Sequence, residues 1–597
     1  MSDRRLFLKA LAEMSGNPKQ LEAVNATEHC VVLAGPGSGK TKTLTTAMAR
    51  ALLDDIEEPR AIACITYNNE CAIELQNRLA RLGIESPERA FVGTVHSFAL
   101  SQVILPYGRC VMPGFAVEGI ATKHQMADAI AVAYKTVTGR NDSPRSMWAR
   151  AATKRQEDID RTHAMWMGRS PELARLIEAY EAELRRQRLV DFEDMPLLAM
   201  KIVTENEWVR RALYSKFPVL FVDEYQDLGA ALHELVLQLC FRGGIRLFAV
   251  GDPDQSIYRF TGANAALLKD LAAREDVRAV ELPFNYRCGT RIIDASKAAL
   301  GEERDHRGPE GAPAGIISFD PVDGELAAQA DYIMGEVIPA LRASGIDLGQ
   351  IATLYRGADG GNRLAAAAAA RSIPIVRADK HALIPRNNRL SRLIETAAQW
   401  VTGGWKTADP PFRRLLAEAL MLVYGGRASR SERRELEEML AAFLHRTINS
   451  TGSTHAWLID FRDSLLSHWR ARARITSEDW DILDTMIERT NGAAGNSDLP
   501  LPQFSGRVEA SGRLNLSTLH SSKGREFDVV IMYDMNKGSI PGYKDEESAE
   551  QLTDARRLFY VGVTRARKQL HLVFKRKHYS PWVAELYRRG KKSGWIV

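Results

Sequence analysis

Residues 31–52, VVLAGPGSGKTKTLTTAMARAL, restrict the fold more than any other stretch of this chain: an apolar run, a turn with three glycines in five residues, then a helical pattern. Such a strand–turn–helix places a buried strand end beside a helix N-terminus, where unpaired backbone N–H groups collect. Ala34 to Thr41 fits the phosphate-loop pattern with alanine at its first glycine. Gly35, Gly37 and Gly39 let backbone N–H groups approach a polyphosphate, Lys40 carries positive charge toward the β and γ phosphates, and Thr41 can ligate Mg²⁺. The candidate ATP-binding stretch is therefore Ala34, Gly35, Pro36, Gly37, Ser38, Gly39, Lys40, Thr41 and Lys42, with ATP and Mg²⁺ the expected ligands.

A loop of this kind needs a parallel sheet behind it, and short apolar runs recur at 31–34, 61–66, 218–223, 245–250, 351–355, 514–519 and 528–533. They fall into two groups, about 28–283 and 284–597, so two α/β sheets fit better than one. The 597-residue length already argues for several domains. Between the strand groups, about 101–182 and about 385–511 have helical spacing and read as insertions. The second closes on a Gly-, Asn- and Pro-rich connection at 491–506, and the alanine run 365–370 reads as part of one helix.

Metal binding and water activation need acids at a strand end, which FPVLFVDEYQDL (217–228) supplies. Asp223 is placed to hold Mg²⁺ directly or through water, and Glu224 to orient or deprotonate the attacking water.

Joined to GDPDQSIYRFTGA (251–263), these motifs resemble the UvrD, Rep and PcrA group of superfamily 1 helicases. The resemblance spans nearly the whole chain: NPKQLEAV (17–24), the phosphate loop, ITYNNECA (65–72), VGTVHSF (92–98), DFEDM (191–195), DEYQD (223–227), GDPDQSIYRF (251–260), PFNYR (283–287), TLHSSKGREFD (518–528) and FYVGVTRAR (559–567). It implies two RecA-like lobes: 1–100 with 183–283, and 284–384 with 512–597. It also implies a helical insertion in each, 101–182 and a shortened 385–511.

By the same resemblance Gln20 looks like the adenine-reading amide, Tyr286 like the aromatic stacked on the base, and Glu526 like the ribose acceptor. Arg287 and Arg565 look like γ-phosphate arginines, and guanidinium forks suit that charge. Gln255 resembles the residue that links the γ phosphate to the DNA-binding surface. Tyr67, His96, Tyr258, Phe260, Arg356 and His520 fall in motifs that contact the strand, by stacking or by donating to phosphates. A structural hydrogen-bonding role is the alternative for the two histidines. Thr261 stands where the family often has arginine, which removes one cation from the pocket of Phe260.

The resemblance implies an ATP-dependent 3′–5′ helicase or translocase acting on single-stranded and tailed duplex DNA. The competing expectation is an ATP-gated subunit that clamps DNA for a partner nuclease and unwinds little. The mild net charge of +5 allows a polyanionic partner without requiring one. A protein partner or a second copy is expected at the helical insertions; residues 427–446 are one docking candidate, with a solvated helix burying one face as the alternative. Six scattered cysteines form no CxxC pair, arguing against zinc and for reduced, mostly buried thiols. No apolar stretch approaches the roughly 20 residues of a membrane span. The N-terminal run is too short and charged for a signal peptide, so no membrane partner is expected and the cytoplasm is the expected location.

Overall fold

The computed structural model describes residues 4–595 apart from 67–68, 85–88, 113, 162–163, 169, 260–261, 303, 379–387, 408–409, 425–427, 470–476, 492–499 and 506–511. The chain divides into two compact units: Met1–Ile316 with Pro541–Lys568 and Glu585–Val597, and Ile317–Ile540 with Gln569–Ala584.

The first unit is built on a six-stranded sheet. Its strands are β1 (His29–Ala34), β2 (Ile62–Thr66), β3 (Ala90–Thr94), β4 (Val219–Val222), β5 (Arg246–Gly251) and β6 (Val277–Leu282). They lie in the order β3-β2-β4-β5-β1-β6, every neighbouring pair parallel. Because successive side chains point to opposite faces, an unbroken apolar run feeds two cores at once. Val31, Ile65, Val222 and Ala249 enter one core; Val32, Cys64, Phe221 and Val250 enter the other. Parallel order also brings the carboxyl ends of β1, β4 and β5 to the same edge, where ligands of open α/β sheets bind.

Between β3 and β4 the helices Lys123–Thr138, Arg145–Glu157 and Pro171–Arg186 pack around Ala129, Ala151, Leu176, Ile177 and Tyr180. The buried Arg155 donates to Glu181 at 2.8 Å and to Asp191 at 2.7 Å, and Tyr180 donates to Asp191 at 2.7 Å. A buried cation is tolerated only with such partners.

The second sheet comprises β7 (Ile316–Val322), β8 (Ile351–Tyr355), β9 (Ile375–Ala378), β10 (Leu514–Thr518), β11 (Phe527–Met532) and β12 (Ala566–Lys575), in the order β9-β10-β8-β11-β12-β7. The pairs β8–β10, β8–β11 and β9–β10 are parallel. The alanine run forms the end of one helix, Ala358–Ala369, with Ala370 at its C-cap.

Five further helices, Arg389–Gln399, Phe412–Tyr424, Arg430–Arg446, Thr454–Phe461 and Ser477–Thr490, share a core of their own that includes Leu393, Leu415, Leu440, Phe461 and Leu483. Arg430–Arg446 starts at a capping box of Ser429 and Glu432 and buries Leu436, Leu440, Phe443 and Leu444, the pattern of a solvated helix with one buried face. Most of the expected connection at 491–506 lies outside the described residues.

The α/β class with parallel sheets and helical additions is thus as the apolar runs indicate. Cys30, Cys64, Cys240 and Cys288 are buried and unbridged, whereas Cys110 is exposed. No helix among the described residues is long and apolar enough to cross a membrane.

Candidate active site

β1 delivers the chain into a loop whose backbone demands glycine. Gly37 and Gly39 have φ of 68° and 87°, which L side chains rarely adopt. Space is as tight as conformation: a Cβ on Gly37 would meet the Asn285 amide and lie 2.5 Å from the Arg287 Cβ, and one on Gly39 would meet the Gln20 amide. The helix Lys40–Arg50 begins directly after this turn.

Around the loop the first unit gathers most of the expected nucleotide residues. Asn17 caps the short helix Pro18–Val24, accepting from the Gln20 N–H at 3.2 Å; the Gln20 amide donates to the Ser38 carbonyl at 3.0 Å. Asn17 also donates to the Tyr286 hydroxyl at 3.0 Å, and the Tyr286 N–H donates to the Gly37 carbonyl at 2.8 Å. Tyr286 is 50% exposed, an aromatic face open to a ligand rather than a core residue. Asn285 holds the next turn by accepting from the N–H groups of Arg287 and Cys288.

Lys40 donates to the carbonyls of Ala34 and Gly35 at 3.0 and 3.3 Å, and its Nζ lies 4.0 Å from Asp252 Oδ2. From Asp252 a line of bonds runs outward. Its carboxylate accepts from the Gln255 amide at 2.6 Å, and Gln255 Oε1 accepts from Arg565 at 3.1 Å. Asp252 also donates its N–H to Gln226 Oε1 at 2.9 Å, while Gln226 donates its amide N–H to Glu224. Lys40, Glu224, Gln255 and Arg565 are therefore joined through two residues that motif reading did not assign, Asp252 and Gln226. Asp252 sits inside the quoted GDPDQ motif, but nothing in the sequence says that it faces Lys40.

At the end of β4, Glu224 adopts φ 51°, a sparsely populated conformation for a non-glycine residue. It turns the chain directly after Asp223, whose N–H is bonded to the Ile65 carbonyl at 2.9 Å. Burial, reinforced by the neighbouring Glu224 charge, holds the Asp223 carboxyl well above its ordinary range, with Lys40 opposing. Arg565 is 1% exposed; burial, with Arg287 nearby, pulls its guanidinium down to about 10, so it remains charged at neutral pH.

Two adjacent carboxylates at a strand end, one of them buried, fit a divalent cation. Among the described residues no group of three or more His, Cys, Asp or Glu side chains is assembled as a metal site. Mg²⁺ tolerates that, because it keeps waters and takes phosphate oxygens beside one or two protein donors. Thr41, half-buried at the helix start, and Asp223 are the protein donors available.

The strand-contact candidates are more dispersed. Tyr258 is half-buried just beyond Gln255, and Arg259 beside it is engaged by Glu550 and Asp554. His96, whose imidazole burial keeps toward the neutral form, has its ring edge-on to Phe192 at 5.6 Å, and Phe192 is 56% exposed. Tyr67 and Phe260 lie outside the described residues. Arg356, His520 and Glu526 belong to the second unit. There Arg356 donates to the Ser539 carbonyl at 2.7 Å, His520 is held toward its neutral form by burial and then by the Arg356 charge, and Glu526 is half-buried before β11.

Residues 16–275 match the UvrD/REP helicase N-terminal domain family, and residues 502–577 the UvrD-like helicase C-terminal domain family. The ATP-dependent DNA helicase Rep of Escherichia coli is 26% identical over 93% of this chain and 90% of its own length. The ATP-dependent DNA helicase PcrA of Leuconostoc citreum is 25% identical over 93% and 81%. DNA helicase II of Salmonella typhimurium is 25% identical over 94% and 84%.

Proposed function

This chain belongs to the UvrD/Rep/PcrA family of superfamily 1A helicases, and on that premise we propose that it is an ATP-dependent DNA helicase and translocase moving 3′–5′ on single-stranded DNA. The observation that carries the proposal is the line from Lys40, whose Nζ lies 4.0 Å from Asp252, through the hydrogen-bonded Asp252, Gln255 and Arg565, which links the phosphate loop to the motif preceding the strand-contact aromatics. In this reading 1–100 with 183–283 and 284–384 with 512–597 are the motor lobes, and 101–182 and 385–511 are the insertions.

Lys40 exchanges its loop carbonyls for the β and γ phosphates, and the loop N–H groups bind the same polyanion. Gln20 and Tyr286 take the base, and Glu526 is the ribose acceptor by its motif. Thr41 and Asp223 would hold Mg²⁺, which when bound would supply charge neutralisation at the phosphates. Glu224, fixed by Gln226, orients and deprotonates the attacking water. Arg287 and Arg565 stabilise charge developing on the transferred phosphoryl group. Because Gln255 bonds both Asp252 and Arg565, it is positioned to report phosphate state to Tyr258 and Phe260, which stack on bases. Tyr67, His96, Arg356 and His520 complete the proposed strand contacts.

ATP hydrolysis should rise with single-stranded DNA, and tailed duplexes of both polarities should separate only with the 3′ tail. Stimulation of ATPase without translocation on either DNA or RNA tracks would refute the motor reading in favour of an ATP-gated clamp.

A further inference from the structure

Residues 304–307 take no part in the motifs above, yet they touch the nucleotide site at three places, all within the first unit. The His306 ring closely approaches Gly35: a Cβ there would be 2.6 Å from His306 Cε1 and 2.7 Å from Nε2. Gly35 does not have positive φ, so it is this close approach that requires a glycine. Two residues earlier, Arg304 bonds Asp254 at 3.0 Å, in the loop that carries Gln255. One residue later, Arg307 accepts from the Asn285 N–H at 2.8 Å and donates to the Pro283 carbonyl at 3.0 Å, fixing the turn that presents Tyr286 and Arg287.

We propose that His306 is a positioning residue for the phosphate loop, holding its leading edge through Gly35 and tying it, through residues 304–307, to the Gln255 loop and the Tyr286–Arg287 turn. The chemistry favours this over simple packing. Lys40 donates to the Gly35 carbonyl, so the ring braces the peptide that the lysine must leave when a polyphosphate arrives. Burial keeps His306 toward its neutral form, so it braces the loop without adding a competing charge. The inference rests on the ATP-site reading given above.

The test is a double-mutant cycle on the full-length chain, reading KM for ATP, kcat and affinity for a fluorescent ATP analogue, with Lys40→Ala as control. His306→Ala should raise KM roughly tenfold with kcat changed less than about threefold. Gly35→Ala, whose Cβ displaces the ring, should raise KM to a similar degree. The pair together should be no worse than either alone, because both remove one contact. His306→Gln, flat and neutral, should recover much of the affinity and serves if the alanine variant folds poorly. Additive single effects, or a KM change under twofold in a folded His306→Ala protein, overturn the proposal while leaving the ATP site standing. Loss of the Lys40→Ala effect on nucleotide affinity would instead overturn the ATP-site reading itself.

Discussion

Replacing Gln255 by alanine removes a side chain that bonds both Asp252 and Arg565. Hydrogen bonds to charged groups contribute about 1.5–3 kcal/mol each, so losing two has an upper bound of roughly 3–6 kcal/mol. Neither charge is stranded: Asp252 keeps the Asp254 N–H and the nearby Lys40, and Arg565 keeps the Val561 carbonyl and the Thr564 hydroxyl. Water entering the vacated space offsets part of the remainder, leaving about 2–3 kcal/mol, or about 30- to 150-fold. That loss should fall on DNA-stimulated hydrolysis, where Arg565 must respond to the strand. Basal hydrolysis should drop less than about fivefold, because Lys40, Asp223 and Glu224 keep their own partners. Steady-state ATPase with and without oligo(dT), at saturating ATP, measures both, with circular dichroism confirming the fold. Equal fractional loss of basal and stimulated rates would make Gln255 an ordinary catalytic residue and refute the coupling argument.

Lys40→Ala should weaken nucleotide binding whereas Glu224→Gln should bind normally and stop turnover; equal affinity of Lys40→Ala and the unaltered protein in an analogue titration contradicts the assignment. Gly37→Ala, facing a φ of 68° and a Cβ placed 2.5 Å from Arg287, should cost about 1–2 kcal/mol in strain alone, seen as a lower melting midpoint together with weaker nucleotide binding. His29 accepts from the Leu247 N–H at 3.0 Å through Nδ1, and burial lowers its pKa; its contribution is present above the unfolded pKa and lost as pH falls through the folded one. The melting midpoint should therefore drop more between pH 7.5 and 5.5 than in His29→Gln, and identical profiles would rule this out. Deleting 385–511 behind a linker should spare DNA-stimulated ATPase, since those helices close their own core, and the intact isolated monomer should unwind long duplex weakly; processive unwinding at nanomolar concentration, or loss of ATPase in a folded deletion, contradicts that division of labour.

What the sequence determines by itself is what neighbouring residues enforce. The glycines of 35–39 dictate a loop geometry through φ and missing side chains, and a strand buried on both faces must be apolar at consecutive positions, so β1, β2, β4, β5, β8, β10 and β11 are visible as runs. β6, reading VRAVEL, and β12, reading ARKQLHLVFK, mix polar with apolar residues and are missed. β3, AFVGT, is half-buried along its length and is missed as well. Only the tertiary structure decides that Asp252 faces Lys40, that Gln226 bridges Asp252 to Glu224, and that His306 rests on Gly35. Apart from Gln226 and Glu224, two residues from each other, those partners lie tens to hundreds of residues apart, and polar side chains such as these look the same in sequence whether they end in solvent or in a buried line of hydrogen bonds; the parallel sheet, by aligning the carboxyl ends of β1, β4 and β5, makes the difference.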